Sequence, residues 1–182
     1  MLCSMARLRG AILMARVGTL LSLLRLLSAS GGEVETRIRL QKEAYLLSLK
    51  YPDFFDNGDF EYHHYGPYSR FLSDNLQYAV SSGLIEEVNE SPEDMSFTKY
   101  KYILTEFGNK SVEENPLDSE NFYADVQKLQ AHNWRTLELA ATVKYLEAKE
   151  NLDSVSAFEK ALKLKPATAS YANEAKNLLL SA

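Results

Sequence analysis

The chain has one cysteine, Cys3, in 182 residues. That excludes an internal disulfide and a cysteine-built zinc site, and it suits a reducing cytoplasm. Glycine is sparse as well. Eight glycines spread along the chain leave no glycine-rich phosphate cradle, and neither Gly-x-Ser-x-Gly nor His-Glu-x-x-His occurs. The N-terminal Leu-rich stretch is broken by Arg16 and Arg25. It therefore falls short of the roughly 18 uncharged residues that a membrane span needs, and it reads badly as a secretory signal. No residue set offers a nucleophile with its base or paired carboxylates in an apolar cleft, so the chain reads as non-enzymatic.

What is present is a folding composition. Eleven tyrosines and eight phenylalanines exceed what a disordered chain carries. Charge is unevenly placed. Residues 1–32 hold Arg7, Arg9, Arg16 and Arg25 with no acid, whereas residues 33–115 hold 16 acids against 8 bases. An acidic body is repelled by phosphate backbones, so the balance disfavours nucleic acid as a partner. The acid-free start has the composition of a transit peptide. Against that, Val17, Leu20, Leu21, Leu24 and Leu27 recur at helical spacing, and the favoured reading of 15–28 is a core helix. With Met5 and Met14 as alternative starts, residues 1–14 read as an extension or a start-site artefact.

Further along, Gly31-Gly32 ends the first helix and Thr36 caps a second, whose inward face is Leu40, Ala44, Leu47 and Tyr51. Tyr51-Pro52 stops it. Asp56–Asp59 reads as a turn and Phe60–Tyr65 as a short strand. Gly66-Pro67 is read as opening a third helix, with Ser69 as an alternative cap, Leu72, Leu76, Ala79 and Val80 facing inward, and Gly83 closing it. Leu84–Val88 and Tyr100–Leu104 form a hairpin, and Thr105 starts a short helix that Asn115-Pro116 breaks. The remainder is helical. Asn133–Glu150 is apolar on more than one side, which marks a helix sandwiched between others. Asp153 caps a helix ended by Pro166, and a last helix runs from about Ser170 to Leu180. Ala157–Pro166 resembles half a tetratricopeptide repeat, but no second copy follows at a period of about 34 residues.

The predicted class is mostly α with a small β-hairpin. Residues 15–115 are read as a winged-helix-like domain and 116–182 as a C-terminal helical annex. If the third helix reads DNA, its outward arc is Arg70, Ser73, Asp74, Gln77 and Ser81, with Lys99 and Lys101 on the wing and the N-terminal arginines on phosphate. The wing, however, carries Glu86, Glu87, Glu90, Glu93 and Asp94, the wrong sign for phosphate. The competing reading takes the same surface, with Phe71, Tyr78, Met95 and Phe97 exposed, as a site for another protein. His63-His64 beside Glu61 could suggest a metal. Adjacent strand residues point to opposite faces, so one packed and one exposed histidine is expected, and no metal site. Arg37, Arg39 and Lys42 open the second helix against its dipole. They serve either a partner or, as favoured, pairing with Glu33, Glu35 or Glu43.

Leu40-Gln-Lys42 with Tyr45-Leu-Leu47, Tyr65-Gly-Pro-Tyr-Ser69, Gly83-Leu-Ile85 and Tyr102-Ile-Leu-Thr-Glu106-x-Gly108 resemble the YwgA-like proteins, which look related to the Panacea, or SocA-like, antitoxin domain. Leu137–Val143 and Leu164-Lys-Pro166 are similar to the helical tail of longer members. The resemblance implies a prokaryotic, cytoplasmic protein without a cofactor that works by binding a toxin, a protease or a client. On this reading Tyr65, Tyr68, Phe71 and Tyr78 are the partner-binding residues, and a DNA-binding regulator is the alternative. Partner identity and oligomeric state stay open.

Overall fold

Helix α1, residues 18–29, stops where the sequence supplies two glycines. Gly31 and Gly32 adopt φ of 83° and 90°, and the Gly32 N–H reaches back to the Leu27 carbonyl at 2.9 Å. This computed structural model describes residues 18–91, 98–117 and 120–180. Arg7, Arg9 and Arg16 lie outside the described residues, as do Glu93, Asp94, Met95 and Phe97. Leaving α1, the chain forms strand β1 (Glu33–Glu35), which the sequence reading did not anticipate. Three residues with one apolar side chain, Val34, are too short a pattern to signal a strand.

Thr36 caps α2 (Arg37–Ser48), accepting from the Arg39 N–H at 3.2 Å. A 3₁₀ turn at Asn57–Asp59 leads into a hairpin of β2 (Phe60–His63) and β3 (Gly66–Ser69), with Phe60 opposite Ser69 and His63 opposite Gly66. Gly66-Pro67 therefore lies in a strand and does not open the third helix. The cap of α3 (Arg70–Ser81) is Ser69, whose hydroxyl accepts from the Leu72 N–H at 3.0 Å. Proline is tolerated in β3 because the position needs only its carbonyl, as the site shows below.

β4 (Ile85–Asn89) and β5 (Tyr100–Leu104) form the expected hairpin, and β1 adds to the outer edge of β5 to give the antiparallel order β1-β5-β4. Val34 and Glu87 both lie opposite Tyr102, which is fully buried. Thr105 caps α4 (Glu106–Glu113). A Cβ on Gly108 would stand 2.1 Å from the Leu84 carbonyl oxygen, so only glycine lets α4 lie this close to the sheet.

Four more helices follow: α5 (Glu120–Gln130), α6 (Trp134–Glu150), α7 (Ser154–Leu164) and, after a 3₁₀ segment at Pro166–Tyr171, α8 (Ala172–Leu180). The expected last helix thus begins two residues later than read, its first turn being 3₁₀ after Pro166. α6 packs against α2, α7, α8 and β3. Leu137, Leu139, Ala140 and Ala141 on different sides of it are all fully buried, which accounts for the apolar pattern around this helix. Each buried leucine contributes about 1.5–3 kcal/mol. One hydrophobic core runs from Leu23 of α1 to Leu178 of α8. No helix among the described residues is long and apolar enough to cross a membrane. The protein is mostly helical with small antiparallel sheets.

Candidate functional site

Three consecutive residues point to different sides of a helix, and in α2 three polar ones, Gln41, Lys42 and Glu43, are all buried. Each has a built partner. The Gln41 amide donates to the Ser69 carbonyl at 2.9 Å and accepts from the Ser69 N–H at 2.8 Å, replacing a strand neighbour for the end of β3. Lys42 Nζ donates to the Pro67 carbonyl at 2.5 Å. Lys165, just beyond α7, donates to the His64 carbonyl and pairs with Glu138 of α6 at 3.3 Å. Its ammonium also lies 5.6 Å from the centre of the Tyr62 ring. The β2–β3 hairpin is thereby held by side chains from α2, α6 and the end of α7.

Gly66 is where the hairpin meets α6. Its φ is 85°, and a Cβ there would stand 2.8 Å from Thr142 Oγ1 and 3.8 Å from Lys42 Cε. The Thr142 hydroxyl in turn donates to the Glu138 carbonyl at 2.7 Å. Lys42, Glu138 and Lys165 are 2%, 4% and 8% exposed, so two ammoniums and one carboxylate share a nearly dry space. Burial pushes Lys42 down to about 7. The Glu138 carboxylate opposes that shift and the Lys165 ammonium adds to it.

Glu43 anchors a second buried cluster. It accepts from Arg39 Nε at 2.7 Å and from Gln130 Nε2 at 3.0 Å. Arg39 also donates to the carbonyls of Leu129, Gln130 and His132, satisfying the C-terminal end of α5 with a cation of the favourable sign. Burial pushes the Glu43 carboxyl up to about 7, against the pull of Arg39 and Gln130.

The three cations of α2 are therefore used inside the protein. Pairing with Glu43 holds for Arg39. Arg37 instead meets Glu87 at 3.4 Å and the Tyr102 hydroxyl at 3.2 Å, and Lys42 turns to the hairpin. Glu33 and Glu35 are taken by the wing lysines: Lys101 pairs with Glu33 at 2.6 Å and Lys99 with Glu35 at 3.1 Å.

Tyr65 sits in the two-residue loop of the hairpin, 45% exposed and edge-on to His64. Tyr68, in β3, is half-buried with its ring 5.3 Å from His63. Phe71, half-buried in the first turn of α3, and the 60%-exposed Tyr78 are seven residues apart on one face of that helix. Among the described residues these four rings do not stack on one another. Arg70 and Gln77 are exposed on α3, but Ser73 is buried and leaves the arc expected to face outward. Val80 is half-buried and not fully inward. His63 and His64 are both exposed, which corrects the expected packed and exposed pair: each lies against a tyrosine ring instead of the core. Among the described residues no group of three His, Cys, Asp or Glu side chains is placed to hold a metal ion.

Sequence reasoning misses Glu138 and Lys165, and it reads Lys42 only as part of the basic cluster that opens α2. The available signal was charge in the wrong place: Lys42-Glu43 between Leu40 and Ala44, and Glu138 between Leu137 and Leu139. The segments that converge on the cluster can be compared with known proteins. The chain is 30% identical over 123 residues to the uncharacterized protein YwgA of Bacillus subtilis (strain 168), covering 68% of this chain and 72% of that one. It belongs to the YwgA family. No family model matches the chain. For this member of the family, Leu40-Gln-Lys42, the Tyr-Gly-Pro-Tyr-Ser segment, Leu137–Val143 and Leu164-Lys-Pro166 meet at the hairpin cluster.

Proposed function

We propose that this YwgA-family protein is a non-enzymatic protein-binding module of antitoxin or adaptor type, in which the β2–β3 hairpin and α3 present tyrosines to a protein partner. The observation that carries this reading is that the cations of the wing are already paired while two of the tyrosines stay exposed. The lysines a nucleic acid would need, Lys99 and Lys101, are each held by two carboxylates, Lys99 by Glu35 and Glu90 and Lys101 by Glu33 and Glu90. Tyr65 in the β2–β3 loop and Tyr78 on α3 stay exposed, the kind of aromatic anchor that dominates protein interfaces. The order α1-β1-α2-α3-β4-β5, interrupted by the β2–β3 hairpin between α2 and α3 and with β1 paired to β5, supports a winged-helix-like reading and with it a relation to the Panacea (SocA-like) domain, whose partners would be a toxin, a protease or a client.

A DNA-binding regulator is the second reading, favoured by one observation: Arg70 and Gln77 are exposed together on α3. A tagged pull-down from the native host, with and without nuclease, separates the two. One stoichiometric protein that survives nuclease and is lost with Tyr65→Ala or Tyr78→Ala supports the binding module. Co-purified duplex lost with Arg70→Ala, with a steep salt dependence, would replace it by the regulator.

A further inference from the structure

A cleft of about 710 Å³ opens between α2, α5, α6 and α8, and none of its lining residues belongs to the hairpin cluster or the tyrosine surface. Its apolar wall is Leu46 and Leu47 of α2, Leu129 of α5, and Leu178 and Leu179 of α8. α5 and α8 are tied at one end, where His132 meets Glu174 at 2.6 Å. Charge gathers at the rim, with Lys50, Lys128 and Lys144 against Asp125 and Glu147. Lys144 pairs with Glu147 at 2.9 Å. Asp125 has to serve two ammoniums, Lys50 at 2.6 Å and Lys128 at 3.1 Å, and it also accepts from the Tyr51 hydroxyl at 2.7 Å. In a chain of net charge −5, this rim carries a cation in excess.

We infer that the cleft binds an amphiphilic carboxylate, a hydrocarbon chain ending in one acidic group, with the chain against the leucines and the carboxylate on Lys50 and Lys128. The volume lies inside the roughly 300–1,000 Å³ range of small-molecule sites, which are mostly apolar with a few placed polar groups. A partner helix of three turns, about 10 Å across, fills on the order of 1,200 Å³ and would rest only one face here. The lysine side chains are 53% and 59% exposed. Asp125 is itself 15% exposed and keeps its contacts, while each exposed ammonium has three N–H donors and can turn one of them to the ligand carboxylate.

The test is calorimetric titration of the full chain with dodecanoate below its aggregation concentration. Dodecan-1-ol and dodecyltrimethylammonium have the same chain without the carboxylate. Saturable 1:1 binding of dodecanoate is expected, at least tenfold tighter than of either control. The Lys50→Ala/Lys128→Ala double variant should weaken it at least tenfold. Ala148→Trp, which plugs the cleft from its rim, should abolish it while the urea unfolding midpoint stays in place. Lys110→Ala, on α4, should bind as the parent does. The inference is overturned by absence of saturable binding, by equal affinity for the alcohol or the cation, or by a lysine double variant that binds normally. It is also overturned if dodecanoate fails to bind while a Leu/Glu helical peptide binds through the same lysines, or if Ala148→Trp dissolves a dimer seen by sedimentation.

Discussion

Lys42 with Lys165 and Lys99 with Lys101 are two pairs of lysines set against carboxylates, and they do different work. Lys42 and Lys165 share Glu138 beneath the β2–β3 hairpin, nearly out of reach of water. Lys99 and Lys101 meet Glu33, Glu35 and Glu90 on the open side of the three-stranded sheet, where the carboxylates are one-third to two-thirds exposed. A charge removed from water is held by geometry and is costly to leave unpartnered; a charge in water is screened and replaceable. The buried pair therefore fixes where the hairpin sits. The exposed pair mainly sets the sign of the surface.

Removing the buried carboxylate should have the largest effect. Glu138→Ala strands the Lys165 ammonium and removes the charge that favours a protonated Lys42, and it should lower unfolding stability by about 3–5 kcal/mol in a urea titration at pH 6. A loss no larger than that of an ordinary surface variant would break the comparison. Next comes Gly66→Ala. With φ at 85° and Thr142 Oγ1 2.8 Å from the new Cβ, it should cost about 1–3 kcal/mol. Adding Thr142→Ala should recover the steric part only, since the backbone strain at position 66 remains.

pH separates the buried groups from the exposed ones. The native Glu43 carboxyl holds its proton up to about 7, whereas unfolded it releases it near 4.5. The unfolded state therefore binds fewer protons between those values, and this group's contribution to stability falls as pH rises through that window. Lys42 has the opposite sense. The unfolded ammonium keeps its proton to about 10.5 and the native one to about 7, so stability from this group rises with pH between 7 and 10.5. Urea titrations across pH should show Glu43→Gln removing the lower slope and Lys42→Met the upper one. An unchanged profile in either variant contradicts the assignment of that group.

Much of this fold was legible in the sequence, and what was not has identifiable causes. Thr36, Thr105, Asn133 and Asp153 are caps whose chemistry is local, and each side chain accepts from a backbone N–H of the first helical turn as its position requires. Gly66-Pro67 misled because proline in a first helical turn is a strong local signal. What overrides it is nonlocal: Pro67 pairs with Tyr62 across the hairpin and gives its carbonyl to Lys42, 25 residues away. The buried cluster was illegible for the same reason. Lys42, Glu138 and Lys165 are spread over three segments, and only packing of α2 on α6 brings them together.

The smallest effect is expected on the sheet. Lys99→Ala should change stability by less than about 1 kcal/mol, and salt should erase the difference. A large, salt-insensitive loss would make the two lysine pairs equivalent.

The buried cluster fastens the tyrosine-bearing hairpin to the helices. Amide hydrogen exchange on the native protein, comparing the parent with Glu138→Gln, tests it most directly. Faster exchange is expected for residues 60–69, with β1, β4 and β5 protected as before. Unchanged exchange in the hairpin, or loss of protection spread evenly through the sheet, would contradict it.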